Sequence, residues 1–299
     1  MSPARSKTKA RLMEVVTPHK PVNVQLTDLD LEDQLRGEKA SSLFLGQFEL
    51  ERIQGALERF GITEQLHKLG YAEIEAEFHA RSAFEHFLRI FSREQHDKVL
   101  LGEIILKEGH YTPRAPALPD FTLPPLDVLS IEWILMQHVR GQFTPNHRRL
   151  PGQNHPGLGL GHKVVDLLLW VTHLMEKEAL INMPEYFHNA LFYDRWFKFY
   201  DPRVQGTMQA VIRDLAAAGY DLADMSYAAY FNCLLNSKTG ERFCWQPQEQ
   251  LLAMSEPARH YLEHPDYARL VRETSEALSF TVDGALFMEK IAKADHLEW

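Results

Sequence analysis

The sequence predicts an α/β protein: a mixed sheet with flanking helices, preceded by a helical N-terminal arm and followed by a helical C-terminal region. Three observations lead there. The apolar spacing changes after residue 70, the run VLSIEWILM at 128–136 alternates like a strand, and a Gly-rich turn precedes the most apolar helix of the chain. Strands that alternate with helices are typical of α/β domains. We expect a tail or arm over residues 1–43, a sheet domain over 44–202 and a helical region over 203–299.

Composition limits the classes of function. The 299 residues are 45% apolar and 24% charged, and the net charge of −9 argues against a nucleic-acid partner, which would require a basic face. No run of about 18 apolar residues occurs, so we expect no membrane span. The N-terminus is basic but lacks the apolar segment of a secretory signal. Cys233 and Cys244 form no CxxC motif, which fits a reducing cytoplasm.

The first half of the chain divides into short elements. Apolar residues from Phe44 to Gly61 follow helical spacing, and Thr63 is placed to cap a second short helix that ends at Gly70. Residues 71–91 and 99–106 read as an antiparallel hairpin with a charged link over 92–98. Five prolines in 112–125 exclude regular structure there.

The strand at 128–136 carries one unexpected residue. A strand apolar on both faces is typical of the interior of a sheet that is covered on both sides. Strict alternation puts Val128, Ser130, Glu132, Ile134 and Met136 on one face and Leu129, Ile131, Trp133 and Leu135 on the other. Since a carboxylate at such a place must be paired, protonated or directed at a cleft, Glu132 is a candidate functional residue.

The segment PGLGLG follows a loop at 141–156 that is rich in His, Arg and Pro. Gly157, Gly159 and Gly161 let backbone N–H groups converge, and the helix predicted over 163–177 adds its positive N-terminal end. This combination predicts a phosphate or pyrophosphate cradle, although the pattern is neither Walker A nor GxGxxG. The alternative is a tight turn between strand and helix.

The second half begins with short elements and then becomes helical. We expect a strand at 180–183, a helix at 185–196 and a strand at 197–200. From Val204 to the end the pattern is helical, with segments at 204–218, 222–236 and 257–279. These helices either cover the sheet or form a homodimer.

Two of these segments resemble a known family. PGLGLGHKVVDLLLWV resembles the coenzyme A-binding motif of the GNAT acyltransferase superfamily: Arg or Gln, two residues, Gly, one residue, Gly or Ala, then a long apolar helix. Gly159 and Gly161 match the glycines, and Pro156 stands where the motif has Arg or Gln. ALINMPEYFHNALFYDRWFKFYDP looks like the family's last strand, helix and strand. The resemblance covers about residues 71–202 and implies an acyl-CoA N-acyltransferase-like mixed sheet.

The resemblance implies transfer of an acyl group from a thioester of coenzyme A or of a carrier protein to an amine, carried by a small molecule or a peptide. It also implies that the strand with Glu132 parts from the strand at 180–183, where the thioester arm enters. In these roles Glu132 is the base, directly or through water, and Tyr193 protonates the leaving thiolate. The alternative for Glu132 is a structural carboxylate paired with an Arg such as Arg89. The alternative for Tyr193 is an aromatic residue of the core. The cosubstrate would contact Gly157, Gly159, Gly161, His162, Gln137 and His138, and no metal is expected.

The loop before the glycines adds positive charge beside the proposed cradle. It could hold the phosphate of coenzyme A or an anionic acceptor, or it could be a solvated loop. The residues concerned are Arg140, His147, Arg148 and Arg149. Five histidines in the same part of the chain predict a mildly cationic, pH-sensitive pocket: His138, His147, His155, His162 and His173.

Two further hypotheses come from single features. Pro156 in the motif favours a catalytically degenerate member of the fold that acts as a binding or scaffold protein. Glu185 and His188 form an ExxH pair; a di-iron site needs two such pairs, and no second one is present. A His-dependent metalloenzyme with a single metal ion is the alternative that this pair leaves. His188 is otherwise a second base, a substrate contact or a plain surface residue.

Overall fold

The computed structural model describes residues 43–94 and 97–293, so the predicted arm lies outside the described residues except for residue 43. Within these ranges, ten strands form two sheets. They are β1 Ile74–Ala80, β2 Glu85–Glu94, β3 Asp97–Tyr111, β4 Leu126–Met136, β5 Ala179–Asn182, β6 Lys198–Phe199, β7 Leu234–Asn236, β8 Arg242–Phe243, β9 Gln250–Ala253 and β10 Phe280–Val282. The main sheet has the order β1-β2-β3-β4-β5-β9-β6, and the small one has the order β10-β7-β8. The protein is thus of the mixed α/β class, as predicted.

Nine helices lie within the described ranges. They are α1 Leu50–Arg59, α2 Ile62–Lys68, α3 Gly161–Leu174, α4 Phe187–Tyr193, α5 Pro202–Ala217, α6 Leu222–Tyr230, α7 Glu256–Leu262, α8 Pro265–Ala277 and α9 Gly284–Lys293. None of these helices combines the length and apolar character that a membrane span requires. The predicted α3 is confirmed with a shift: it begins at Gly161 and ends before Lys177.

The predicted hairpin is a three-stranded antiparallel meander. The expected first strand folds back on itself, because the Ser82 hydroxyl accepts hydrogen bonds from the N–H groups of Phe84 and Glu85 and fixes a turn there. β1 therefore pairs with β2, β2 with β3, and β3 with β4, all antiparallel. A four-stranded antiparallel half results, and β4 is its last member.

The second half of the main sheet contains a strand from the C-terminal region. β9 lies between β5 and β6 and is antiparallel to both. The prediction that the chain is helical from Val204 to the end is therefore wrong. Residues 222–236 also change from α6 to β7, and Pro265 separates α7 from α8 because proline cannot continue a helix from the preceding turn.

Apolar cores cover both faces of the main sheet. One face packs against α1, α2 and α3, through residues such as Leu57, Leu66 and Leu168. The other face packs against the 112–125 segment, α7 and α8, where Leu118 and Tyr261 are buried. A third core joins α4, α5 and α6, and α5 meets α8 so closely at Gly206 that a Cβ would lie 2.5 Å from the Val271 carbonyl oxygen.

Candidate functional site

A β-bulge in β4 lies at Glu132. Ile131 pairs with Leu106 and Trp133 pairs with Ile105, so β4 carries one residue more than β3 between these two pairs. An inserted residue shifts the alternation of everything after it. The predicted faces are therefore wrong beyond Ile131: Leu129, Ile131, Ile134 and Met136 all belong to the core beneath α1 and α3. Val128 packs in the core on the opposite face.

The strands β4 and β5 part at the same point. They pair in parallel from Val128 with Ala179 to Ile131 with Asn182, where β5 ends. β4 continues for five more residues, to Met136. Over this stretch it remains paired with β3, along its other edge. The bulge and the end of the parallel pairing thus coincide within one residue of Glu132.

The Gly-rich turn closes one side of this opening. Gly159 has φ +70°, a left-handed conformation that glycine adopts without a Cβ clash. The Pro156 carbonyl accepts a hydrogen bond of 2.6 Å from the N–H of His138, just after β4. Together they bring the N-terminus of α3 to the open end of β4, where the first helical N–H groups have no intrahelical acceptor.

A narrow cleft lies between β4, α3 and α4. Its walls are Ile134, Met136, Gly161, Val164, Val165, Asn189, Phe192 and Tyr193. Tyr193 is half-buried and packs 5.5 Å from Phe197, between ring centroids. Burial raises the pKa of its phenol, so the hydroxyl stays protonated near neutral pH. The structure thus brings Gly161 and Tyr193 to one cleft.

Glu132 lies beside this cleft but is not one of the residues that line it. Its side chain is buried and accepts a 2.7 Å hydrogen bond from the Ser130 hydroxyl. The alternative partner Arg89 instead forms an ion pair with Glu103 at 2.5 Å. The Ser130 hydroxyl therefore helps to hold the carboxylate at the bulge.

Buried polar side chains surround the carboxyl end of β5. Asn182, His188, Asn189 and Gln250 are each at most 3% exposed, and each has at least one side-chain atom without a hydrogen-bond partner among the described residues. Such atoms cost stability and are uncommon in native cores. The sequence reasoning missed Asn182, Asn189 and Gln250. The sequence signal available for Asn182 was its position as the polar last residue of the otherwise apolar segment ALIN.

His188 is the extreme member of this group. It is fully buried, stacks on Tyr186 at 5.3 Å with an interplanar angle of 11°, and has no partner for either ring nitrogen within the described part of the chain. Burial lowers its pKa to about 3, so the ring is neutral at physiological pH. It is not the plain surface residue considered above.

The cationic loop is tied to other parts of the molecule. Arg140 pairs with Glu94 and donates to the Gly70 carbonyl, and Arg148 lies 3.0 Å from Asp221 and from Asp224 at the start of α6. Two further members of the predicted set make loop contacts: Arg149 donates to the Gln153 carbonyl, and His147 pairs with Thr144. These contacts place the loop against α6 and the α2–β1 turn.

The remaining predicted contacts are spread along β4 and α3. Gln137 donates to the Leu100 carbonyl, His138 Nδ1 lies 2.8 Å from the Tyr71 hydroxyl, and the His162 ring lies 5.0 Å from Trp196. Burial, followed by the Arg140 charge, lowers the pKa of His138. His173 is at the far end of α3, about 16 Å along the axis from His162. The histidines are therefore not gathered into one pocket.

A metal site has no supporting geometry in residues 43–94 and 97–293: no three His, Cys, Asp or Glu side chains there form a group able to hold an ion. Comparisons of the chain with protein-family models, with curated proteins and with solved structures give no match. The site must therefore be interpreted from its own geometry.

Proposed function

We propose that the protein transfers an acyl group from a thioester of coenzyme A, or of a carrier protein, to an amine. The observation that carries this proposal is the opening between β4 and β5, which begins at the bulged Glu132 and faces the Gly-rich start of α3. Where the parallel pair parts, the edge of β4 from Glu132 to Met136 no longer pairs with β5, and an extended ligand could add along this edge. This arrangement supports the proposal that the main sheet is an acyl-CoA N-acyltransferase-like sheet.

The part of the site that binds the cosubstrate would consist mainly of backbone groups. The N–H groups at the start of α3 and the glycines before it would hold the pyrophosphate of coenzyme A, since a helix N-terminus favours an anion. The apolar walls of the cleft, including Ile134 and Val164, would pack on the arm of the thioester. Acyl-CoA is thus the cosubstrate that this geometry fits best.

The chemical half would use two side chains. The amine nitrogen attacks the thioester carbonyl carbon, and its proton passes to Glu132, directly or through water. The C–S bond breaks, and the thiolate takes the proton of the Tyr193 hydroxyl. The place of Tyr193 in the cleft supports this role: burial raises its pKa, which keeps the phenol protonated at neutral pH but also makes it a weaker acid than an exposed tyrosine. Backbone N–H groups at the end of β4 would polarise the carbonyl.

The test is thiol release from acetyl-CoA and longer acyl-CoA in the presence of a panel of primary amines. We expect Glu132→Gln to lower kcat by about 100-fold or more, since general bases contribute that much. Tyr193→Phe should lower kcat with little change in KM. Tyr220→Phe, which alters a tyrosine packed on Phe287 outside the cleft, is the matched control. Release of no thiol from any thioester–amine pair would contradict the proposal.

A catalytically degenerate binding protein is the second candidate, and Pro156 is the observation that favours it. Proline has no N–H to offer at the first position of the glycine motif, and its carbonyl is engaged by His138. Saturable thioester binding without turnover of any amine would select this alternative.

A further inference from the structure

A second pocket, of about 460 Å³, lies between α1 and α3 and reaches β2 and β3 of the main sheet. Eleven of the twelve described residues that line it are apolar, and Arg52 is the twelfth. It shares no lining residue with the thioester cleft, which uses an earlier part of α3. This apolar pocket is therefore a separate cavity, of a volume that suits a small organic molecule.

Part of the wall of the apolar pocket is a turn whose shape is fixed. The N–H groups of Phe44 and Phe48 each donate to the carbonyl of the other residue at 2.9 Å. Between them, Leu45 has φ +49°, which is unfavourable for a residue with a Cβ, and its N–H donates to Nδ1 of the buried His86 at 3.0 Å. The two phenylalanine rings are thus held in place before a ligand enters, which lowers the entropy cost of binding.

Two arginines meet at the rim of the apolar pocket. The Arg52 guanidinium carbon lies 5.2 Å from the ring centroid of Phe48 and 6.0 Å from that of Trp170. The Arg59 guanidinium carbon lies 5.4 Å from the same Trp170 ring. Both arginines are exposed, whereas most of the lining is buried, so the positive charge lies at the solvent end of the pocket.

Acidic side chains do not neutralise these two arginines. Neither Arg52 nor Arg59 forms an ion pair among the residues that the structure describes. The acids that are closest to them along α1, and one on the facing helix α3, are exposed and paired with neither arginine: Glu49, Glu51, Glu58 and Asp166. The planar N–H donors of both guanidinium groups are therefore available to a carboxylate, which they fit well.

A deep apolar pocket with positive charge at its rim fits a molecule with an apolar chain and an anionic end. We propose that the apolar pocket binds a medium-chain fatty acid, with its chain between α1 and α3 and its carboxylate at Arg52 and Arg59. The chain would displace water from the apolar walls, and the carboxylate would stay at the solvent end. This site does not depend on the proposed acyl transfer.

The first experiment is calorimetric titration of the full chain with octanoate and with octylammonium, which have the same length but opposite charge. We expect octanoate to bind about tenfold more tightly, since two arginines attract one head group and repel the other. Decanoate should bind about tenfold more tightly than octanoate, because each further buried CH₂ contributes about fourfold in affinity.

Two substitutions test the two parts of the pocket. Arg52→Gln should weaken octanoate binding about threefold or more. Arg272→Gln, which alters an exposed arginine on α8, is the matched control and should leave it unchanged. Ala56→Met extends a side chain from α1 into the pocket, because Ala56 lines it and is 6% exposed. It should weaken decanoate binding about tenfold by filling the space that the chain needs.

A fluorescence measurement locates the ligand without relying on a change in the core. Bromine at the end of 10-bromodecanoate quenches an indole that it contacts, and Trp170 lines the apolar pocket. We expect quenching of the unsubstituted protein and of Trp245→Phe, whose altered residue packs on Phe187 away from this pocket. Trp170→Phe, which keeps an aromatic ring at the rim, should lose most of the quenching.

Several results would overturn the proposal. One is the absence of saturable octanoate or decanoate binding by the full chain, which is expected if another part of the chain or a second copy fills the pocket. Equal affinity for octanoate and octylammonium, or equal effects of Arg52→Gln and Arg272→Gln, would remove the role of the positive rim. Quenching that persists in Trp170→Phe would place the ligand elsewhere, including in the thioester cleft. Each of these results leaves the proposed function in place, since thiol release from acyl-CoA tests it separately.

Discussion

The polar groups at the two ends of the parallel β4–β5 pair differ in burial and in whether they have partners. At the start, Lys177 Nζ lies 2.9 Å from a Glu108 carboxylate oxygen and 3.1 Å from one of Asp127, and the Glu178 carboxylate accepts the Asp127 N–H at 2.8 Å. At the finish, Asn182 and His188 have buried side-chain nitrogens or oxygens without partners among the described residues.

We infer from this difference that the start of the pair is a structural site and that its end belongs to the proposed functional site. A buried polar atom without a partner costs about 1–3 kcal/mol, so a protein keeps it only where something else requires it. The start of the pair joins β3, β4 and β5 and serves stability. The finish, beside the bulge and the cleft, has the unsatisfied groups that a ligand can use. The predictions below test this contrast.

The largest effect should come from the structural end. Lys177→Met leaves the carboxylates of Glu108 and Asp127 close together without their cation, and we expect a loss of about 2–3 kcal/mol in the free energy of unfolding. Chemical denaturation at neutral pH measures it. Lys293→Met, in an ion pair at the surface with Glu289, is the control and should change stability by less than about 0.5 kcal/mol. Equal effects of the two variants would show that the Lys177 cluster is not structural.

The next effect concerns the pH dependence of His188. Its pKa is lowered to about 3 in the folded state, against about 6.5 in the unfolded chain, so only the unfolded state binds a proton between these values. Stability from this residue is therefore complete above about pH 6.5 and falls with decreasing pH, by at most about 1.4 kcal/mol per pH unit. Substitution His188→Phe removes this term.

We accordingly expect the free energy of unfolding of His188→Phe to rise by about 2.5 kcal/mol relative to that of the unsubstituted protein when the pH falls from 7.5 to 4.5. Denaturant unfolding at both pH values measures the change. His173→Gln alters an exposed histidine, so its free energy of unfolding should change with pH as that of the unsubstituted protein does. If the free energy of unfolding of His188→Phe has the same pH dependence as that of the unsubstituted protein, His188 is not held neutral by burial.

The smallest effect has the opposite sign from that at Lys177. Asn182→Leu replaces an amide without partners by an apolar group of similar size, and should raise the free energy of unfolding by about 1 kcal/mol. Asn236→Leu is the matched control: its side-chain oxygen accepts N–H bonds from Lys238 and Thr239, so its loss should destabilise. Destabilisation of similar size in both variants would contradict the contrast between the two ends.

Much of the fold follows from local patterns in the sequence. The strand at 128–136, the apolar helix after the glycines and the short strand–helix–strand that follows were all predicted near their observed positions. Each has a strong period or a clear boundary residue, which local sequence is able to specify. The turn at Ser82 and the break at Pro265 were missed, although their residues are ordinary turn and break signals.

Other features depend on pairing between distant segments. The bulge at Glu132 exists because β4 carries one residue more than its partner β3, so alternation within β4 cannot reveal it. The insertion of β9 between β5 and β6 likewise places Gln250 beside Asn182 across about 70 residues of chain. The candidate site was predicted at Glu132, Gly161 and Tyr193, while its buried amides came only from the structure.

The most direct test of the open end of β4–β5 as a thioester site is calorimetric titration with acyl-CoA of two glycine variants. Gly159→Val and Gly240→Val each force a β-branched residue into a left-handed conformation, at φ +70° and +73°, so their costs to stability should match at about 1–2 kcal/mol. Only Gly159 lies in the turn before α3; Gly240 follows β7 in the small sheet. We predict saturable binding to the unsubstituted protein and to Gly240→Val, and a loss of about tenfold or more in Gly159→Val. No binding of any acyl-CoA, or equal affinity in all three proteins, would contradict the account.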